Sequence, residues 1–250
     1  MPDDWLPVTT LPSFADDAIQ VLRLTIISND EIFRARMSVL TAEEVARAER
    51  LLKGRVREQF VSGRWFLRTL LGEALGVAPR EVAIRAGVHG KLYVPIVDGR
   101  TVSFNIAHSG DTVLVALRRH GTVGVDVECH GAMVDVMEVA EASFHPNEVN
   151  RLLAYTDEDQ RRRAFYQYWT RKEAVAKADG RGMGLTFSSF EIPAEVAGET
   201  VIRVSVRQGA EERVYCLHDL RMGGKMSATV AVEVPYGPIR TRRFETRARE

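Results

Sequence analysis

The chain has 250 residues, 45% of them hydrophobic, which is enough to bury one large core or two modest ones and argues against a disordered chain. Its 34 basic and 34 acidic side chains balance, so no global field directs the protein to nucleic acid or to an anionic membrane. Two distant cysteines, both expected to be buried, argue against a disulfide scaffold. An acidic N-terminus without a membrane-length apolar run predicts a cytoplasmic protein.

The first third of the sequence predicts a strand followed by two helices. Residues 20–28 alternate apolar and polar side chains, which is typical of a half-buried strand. Thr41 is expected to cap a helix that contains Glu44, and residues 56–75 are expected to form a second helix that ends at Gly76. The apolar stripe of this second helix contains Phe60, Leu67, Leu70, Leu71 and Leu75.

The next segment changes to short strands separated by glycine and aspartate turns. The predicted strands are 82–86, 91–96, 101–107, 112–119 and 122–128. Residues 109–111 are expected to form the turn of a hairpin between two of them.

Helical patterns return at residues 146–153 and 161–178. The last third predicts strands at 201–208, 213–220 and 225–234. The order strand, helix, strand therefore occurs twice. This order predicts an α+β protein of two similar halves, residues 1–120 and 121–236, each a helix on an antiparallel sheet. Residues 237–250 are basic and lack apolar periodicity, so we expect a disordered tail.

One predicted strand carries two carboxylates on the same face. Asp126 and Glu128 share that face because side chains alternate along a strand. The pattern is common on the wet face of an antiparallel sheet. It also suits Mg²⁺, because a hard dication prefers oxygen ligands and relieves the repulsion between neighbouring carboxylates. The strand alone leaves both interpretations open.

Other side chains with possible chemistry lie on helices and in a turn. Trp169, Glu173 and Lys177 are four residues apart and therefore adjacent on a helix, although a surface Glu–Lys pair beside a half-buried tryptophan has the same spacing. His108 opens a predicted turn, where it could contact a ligand or simply be a polar turn residue. Seven basic and two acidic residues lie from position 47 to 68, which suits a polyphosphate ligand or a solvated helix face.

Taken together, three segments resemble the signature segments of the Sfp-type 4′-phosphopantetheinyl transferases. They are FNIAHSG at 104–110, GVDVE at 124–128 and WTRKEAVAKADGRGMGL at 169–185, in the family's order and at its usual spacing. The third is the most specific, and the resemblance extends over roughly residues 40–234. It implies a monomeric pseudodimer of two α+β halves with the active site in the cleft between them. It also implies Mg²⁺-dependent transfer of 4′-phosphopantetheine from coenzyme A to a serine of an apo acyl or peptidyl carrier protein, with release of 3′,5′-ADP.

The resemblance also implies roles for individual side chains. Asp126, Glu128 and Glu173 match the metal ligands, and Glu173 also matches the candidate base that deprotonates the carrier serine. Lys177 matches the lysine that stabilises charge at the coenzyme A diphosphate. The residues matched to coenzyme A binding are Arg47, Arg64, Arg68, Lys91, His108 and Lys177. Among these, Arg64 corresponds best to the arginine that binds the 3′-phosphate, and Arg68 is the second candidate.

Two other functions fit part of this pattern. Three carboxylates and a basic segment also suit metal-dependent cleavage of phosphodiesters. A non-catalytic protein that binds coenzyme A or a carrier protein could keep the same fold. The sequence contains no GxxxxGK loop and no serine hydrolase elbow, which argues against two other large enzyme classes. We therefore expect a transferase with neither a nucleic acid nor a membrane as its partner.

Overall fold

The computed structural model describes residues 5–12, 17–52, 54–96, 101–131, 135–194 and 200–245. Within these residues the helices are Asp30–Met37 (α1), Ala42–Arg50 (α2), Arg55–Leu75 (α3), Val136–Ser143 (α4), Pro146–Leu153 (α5) and Glu158–Asp179 (α6). The strands are Leu6–Val8 (β1), Ile19–Thr25 (β2), Arg85–Ala86 (β3), Leu92–Tyr93 (β4), Ser103–Ser109 (β5), Thr112–Arg118 (β6), Val123–Cys129 (β7), Ile202–Gln208 (β8), Glu211–Asp219 (β9), Met226–Glu233 (β10) and Ile239–Phe244 (β11). The protein is therefore a mixed helix-and-sheet structure, as predicted. No helix in the described part of the chain combines the length and apolar character that crossing a membrane requires.

The chain divides into two compact units. The N-terminal unit contains the described residues through Ala86, together with Leu92–His120 and the chain from Gly237 onward. The C-terminal unit contains Gly87–Lys91 and Gly121–Tyr236. One border lies between residues 120 and 121, where the sequence pattern also changes, and the short segment 87–91 belongs with the C-terminal unit.

The N-terminal unit is built on a five-stranded sheet in the order β1-β11-β2-β6-β5. β6 pairs antiparallel with β2 and β5, and β11 pairs parallel with β1 and β2. The prediction of an antiparallel sheet is therefore wrong for this unit, because β11 joins the sheet in the parallel direction. α3 contributes Phe66, Leu67, Leu70 and Leu71 to the core that the strands also line. The predicted apolar stripe of this helix is therefore its packing face.

The prediction of a disordered tail is wrong for residues 239–244. β11 pairs with β2 from Ile239 opposite Ile19 to Arg243 opposite Arg23. The segment lacks apolar periodicity, but its backbone bonds to a strand on each side, and such bonds form whatever the side chains are. Residues 246–250 of the predicted tail lie outside the described residues.

Several other predictions differ from the structure in extent. Strands predicted at 82–86 and 91–96 shorten to the two-residue strands β3 and β4. β2 is not half-buried, because Ile19 through Leu22 are all buried at the centre of the sheet. Cys216 is buried as expected, whereas Cys129, at the last position of β7, is exposed.

The C-terminal unit is a four-stranded antiparallel sheet in the order β7-β10-β9-β8, covered by α6. Its connectivity parallels that of the N-terminal unit. In each unit a strand leads to a long helix, and the last antiparallel strand returns to pair with the first, as β6 does with β2 and β10 with β7. Both long helices end at a left-handed glycine, Gly76 with φ 74° and Gly180 with φ 84°.

Candidate active site

β7 lies unusually close to α6, and Gly124 makes this approach possible. A Cβ atom at position 124 would lie 2.1 Å from the Ala174 carbonyl oxygen and 2.4 Å from the Ala178 backbone nitrogen. Only glycine leaves room for the helix backbone at this distance. Asp126 is two residues further along the same face of β7 and is therefore also directed at α6.

Asp126 is buried rather than on a wet sheet face, since its exposed fraction is only 3%. The interpretation of this strand face as solvated is therefore wrong for Asp126. The carboxylate accepts a hydrogen bond from Lys177 on α6, with 2.5 Å between Nζ and Oδ1. The other oxygen, Oδ2, is buried and has no hydrogen-bond partner among the described residues. An unpartnered buried carboxylate oxygen is costly, so this atom is available to a cation or a water molecule.

Two further carboxylates affect the pKa of Asp126. Burial raises the pKa of Asp126 to about 7, the Lys177 ammonium opposes this shift, and the negative charges of Glu128 and Glu173 add to it. A divalent cation would offset the free-energy cost of burying the charged carboxylate. It would also reduce the repulsion among the three carboxylates. Within the described residues, no group of three or more His, Cys, Asp and Glu side chains is already arranged so that it could hold a metal ion. The side chains therefore match Mg²⁺ in their chemistry, while Lys177 takes one oxygen of Asp126.

The residues of the predicted stripe on α6 have different environments. Trp169 packs on the core of the C-terminal unit, with ring centroids 5.9 Å from Phe165 and 5.7 Å from Phe187. Glu173 is partly buried. Lys177 pairs with Asp126 and keeps 29% of its side chain exposed. The interpretation as a surface Glu–Lys pair is therefore wrong for Lys177, whose ion pair is with the neighbouring strand.

A buried ion pair holds α6 next to Glu173. Lys172 and Glu148 of α5 both have fully buried side chains, with 2.9 Å between Nζ and Oε2. Lys172 also donates to the carbonyls of Phe187 at 2.7 Å and Phe190 at 2.9 Å. Burial lowers its pKa to about 8, against the opposing charge of Glu148. Sequence reasoning missed this pair, because a lysine between an arginine and a glutamate has the pattern of an exposed helix face.

A second polar group ties α6 to the sheet. Thr170 and Thr229 of β10 are 3.2 Å apart at their hydroxyl oxygens, and the Arg171 guanidinium forms an ion pair with Asp219 of β9. The Thr229 hydroxyl also donates to Asp219 at 2.9 Å. Three successive residues of α6, 170 to 172, therefore fix the position of the helix through directional bonds.

Among the arginines matched to coenzyme A, Arg68 has a structural role in the N-terminal unit. Its exposed fraction is 3%, and its Nε donates to the Glu44 carboxylate at 2.6 Å. Its NH1 group also donates to three carbonyls, those of Pro79, Arg80 and Val82. These contacts use the guanidinium to join α2, α3 and the following turn, so Arg68 is not suited to bind a phosphate.

Arg64 and Arg47 are placed differently. Arg64 keeps 17% of its side chain exposed and lies 3.9 Å from Glu44, measured from Nε to Oε1. Burial lowers its pKa, against the charge of Glu44. Arg47 is exposed, and both guanidinium groups lie over the Phe60 ring, with centroid distances of 5.2 Å for Arg47 and 5.6 Å for Arg64. Both arginines keep surface that a ligand could reach.

His108 is exposed at the end of the N-terminal sheet. It lies within β5 opposite Val113 of β6, so the prediction that His108 opens the turn is wrong, because the ladder continues to Ser109. Gly110 has φ 57° in that turn, and Gln59 of α3 donates to its carbonyl at 2.8 Å. The strand thus presents the imidazole beside a turn that α3 holds in place.

Lys91 lies in the C-terminal unit, at the end of α6. Its ammonium donates to the carbonyl of Ala178 at 2.9 Å. Burial lowers the pKa of Lys91 to about 8, and the charges of Asp179 and Glu233 oppose this shift. The Lys91 side chain therefore contacts the backbone of Ala178, the residue that follows Lys177.

Comparison with known proteins places these residues within two family patterns. Residues 122–231 match the 4′-phosphopantetheinyl transferase superfamily, and residues 28–120 match the family described as 4′-phosphopantetheinyl transferase, N-terminal. A phosphopantetheinyl transferase from Thraustochytrium sp. is 31% identical over 200 residues, which cover 74% of this chain and 68% of the relative.

Bacterial relatives match over shorter stretches. The 4′-phosphopantetheinyl transferase HetI of Nostoc sp. is 36% identical over 51% of this chain and 54% of its own length. The 4′-phosphopantetheinyl transferase Sfp of Bacillus subtilis is 31% identical over 55% of this chain and 62% of its own length. The chain thus spans about half the length of several of the curated relatives that it matches. Because two family patterns cover adjacent stretches and one relative is matched over two thirds of its length, the chain belongs to the 4′-phosphopantetheinyl transferase superfamily.

Proposed function

We propose that this protein transfers 4′-phosphopantetheine from coenzyme A to a serine of an apo acyl or peptidyl carrier protein and releases 3′,5′-ADP. The observation that carries the proposal is the environment of Asp126. This carboxylate is buried under α6, has Lys177 on one oxygen, and has no partner on the other oxygen among the described residues. A buried, negatively charged site beside a lysine suits a metal-assisted reaction of a diphosphate.

Asp126, Glu128 and Glu173 are the residues that would hold Mg²⁺. Support comes from their oxygen chemistry and from the effect of Glu128 and Glu173 on the pKa of Asp126. When bound, the ion would stabilise negative charge on the diphosphate.

In the proposed reaction, Glu173 accepts the proton of the carrier serine hydroxyl. The serine oxygen then forms a bond to the phosphorus of the phosphopantetheine group. The bond from that phosphorus to the bridging oxygen breaks, and 3′,5′-ADP leaves with the electron pair. Lys177 stabilises the charge that develops on the leaving phosphate. Its side chain is partly exposed and its ammonium lies beside Asp126, which supports this role.

For coenzyme A binding we propose Arg64, Arg47 and His108, in addition to Lys177. Arg64 and Arg47 keep reachable surface, and His108 is exposed beside a fixed turn. Arg68 and Lys91 are left out of this set, because protein carbonyls already accept their hydrogen bonds.

We further propose that the two units are the halves of a pseudodimer and that the protein acts as a cytoplasmic monomer. Their equivalent strand–helix–strand connectivity supports the first point. The balanced charge of the chain supports a reaction that involves neither nucleic acid nor a membrane.

The test is mass spectrometry of a panel of apo carrier proteins incubated with coenzyme A, Mg²⁺ and the enzyme. The expected result is a phosphopantetheine-sized mass gain on one serine, lost with EDTA and absent when that serine is replaced by alanine. No mass gain on any carrier, combined with metal-dependent cleavage of a phosphodiester in the absence of coenzyme A, would overturn the proposal.

A further inference from the structure

We infer that Lys91 is a positioning residue for Lys177 and acts through the last turn of α6. The contact itself does not depend on the reaction, and only its effect on turnover rests on the proposed function. The role differs from direct contact with coenzyme A, which the sequence resemblance implies for Lys91.

The first observation is the hydrogen bond from Lys91 to the helix end. The last four carbonyls of an α-helix have no partner within the helix. Lys91 satisfies one of them, the carbonyl of Ala178, at 2.9 Å. A positive charge at this end also interacts favourably with the helix dipole. The bond therefore stabilises the turn of α6 that contains Lys177.

The second observation is the fit of the surrounding glycines. Gly180 has φ 84°, and a Cβ atom there would lie 3.2 Å from Cδ of Lys91. Gly182 has φ 58°, and its Cβ would lie 3.3 Å from the carbonyl oxygen of His89. Both positions favour glycine for their backbone conformation, and both leave room for the segment Gly87–Lys91 against the loop after α6.

The third observation is that the segment Gly87–Lys91 forms a turn held by its own backbone hydrogen bonds. The Gly87 amide donates to the Lys91 carbonyl at 2.8 Å, and the Gly90 amide donates to the Gly87 carbonyl at 2.9 Å. Gly90 has φ 80°, as such a tight turn requires. The backbone of Lys91 is therefore fixed, and its side chain is a short, defined link to α6.

The charges around Lys91 favour this role over phosphate binding. Asp179 and Glu233 act on its ammonium as opposite charges, and Arg213 acts as a like charge. The two carboxylates attract the ammonium, and the Ala178 carbonyl accepts its hydrogen bond, so the charge of Lys91 is already engaged at the helix end.

The consequence concerns the catalytic side of the helix. Lys177 directly precedes Ala178, and its ammonium is 2.5 Å from Asp126 Oδ1. Loss of the Lys91 bond should let the last turn of α6 open more often and shift Lys177 away from Asp126. Displacements of about 1 Å in a catalytic group can cost up to ~10²-fold in rate.

The test compares three variants: Lys91→Met, which keeps most of the side-chain bulk, Lys91→Arg, which keeps the charge and donors, and Lys225→Met, an exposed control in the same unit. Hydrogen exchange is measured on the free proteins for the peptide spanning residues 174–185. Lys91→Met should exchange roughly 3- to 10-fold faster there, the effect of one lost hydrogen bond, while Lys91→Arg and Lys225→Met should match the wild type. Unchanged exchange in a folded Lys91→Met would overturn the inference even if transfer activity is absent from every protein.

Steady-state kinetics with coenzyme A and a carrier protein separate positioning from binding. Positioning predicts that Lys91→Met lowers kcat roughly tenfold while KM for coenzyme A stays within about twofold of the wild type. A raised KM with unchanged kcat would show that Lys91 binds the nucleotide instead. Thermal melting of each variant checks that the loss does not come from global unfolding.

Discussion

The two long helices of the protein are held in contrasting ways. α3 packs on its sheet mainly through apolar side chains such as Phe66 and Leu70, with Arg68 as its main buried charge. α6 buries the consecutive polar residues Thr170, Arg171 and Lys172, each with a partner. Apolar packing tolerates small shifts, whereas hydrogen-bonded ion pairs specify one arrangement. The helix that carries the proposed catalytic residues is thus the one anchored by three consecutive buried polar side chains.

The largest expected effect is on catalysis and separates the two helices by function. Glu173→Gln on α6 removes the proposed base, so transfer should fall roughly 10²- to 10⁴-fold while the fold is kept. Glu58→Gln on α3 is the matched control and should retain activity within about threefold. The measurement is the rate of carrier modification, with circular dichroism to check folding. Wild-type turnover in Glu173→Gln would show that the base is another group.

The second effect is on stability and tests the anchors of α6. Lys172→Met leaves Glu148 buried without its counter-charge, which should lower the free energy of unfolding by roughly 3–5 kcal/mol. Adding Glu148→Gln removes the stranded charge and should recover part of this loss. Urea unfolding of the single and double variants measures both values. A double variant that is less stable than Lys172→Met would contradict the ion-pair explanation.

Two glycine substitutions compare the helix–sheet contacts directly. Gly124→Ala on β7 forces a methyl group against the backbone of α6 and should destabilise the protein by about 1–3 kcal/mol or more. Gly63→Ala on α3 has ordinary space, with 3.5 Å from the new Cβ to Ile106 Cδ1. It should be neutral or stabilise by up to about 1 kcal/mol. Equal melting temperatures for the two variants would contradict the conclusion that Gly124 lies closer to its neighbouring element than Gly63 does.

The smallest effect is a pH dependence that belongs to the C-terminal unit. The folded pKa of Asp126 is raised to about 7, above its usual value of 3.8, so between these values the folded state binds more protons than the unfolded state. Its contribution to the free energy of unfolding therefore falls as pH rises through this window, by at least about 1 kcal/mol in metal-free protein.

This dependence is measured by urea unfolding at pH 5 and pH 8 with EDTA present. Asp126→Asn should lose the part of the pH dependence that the carboxyl causes. The same pH difference in wild type and in Asp126→Asn would mean that other groups carry it.

Patterns that depend on neighbouring residues could be predicted from the sequence. Thr41 caps α2 as expected, through a capping box with Glu44, and α3 ends before Gly76 as expected. The hairpin between β5 and β6 and the shared face of Asp126 and Glu128 follow from strand alternation and turn chemistry. In each case the signal lies within a few residues of the feature.

Features that depend on distant partners could not be predicted. α1 and α4 are different, because their N-caps, Asn29 and Asp135, are local signals from which both helices could have been predicted. β11 forms because its backbone pairs with β1 and β2, which are distant from it in sequence. Asp126 and Lys172 are buried because distant parts of the C-terminal unit pack over them, and no local sequence pattern predicts that burial.

The most direct test of the account is metal binding to the protein without substrate. Mn²⁺, used in place of Mg²⁺ and followed by electron paramagnetic resonance, should bind one tight site in the wild type and in Glu58→Gln. The site should be lost or strongly weakened in Asp126→Asn and in Glu173→Gln. Equal binding by all four proteins would contradict a metal site formed by β7 and α6.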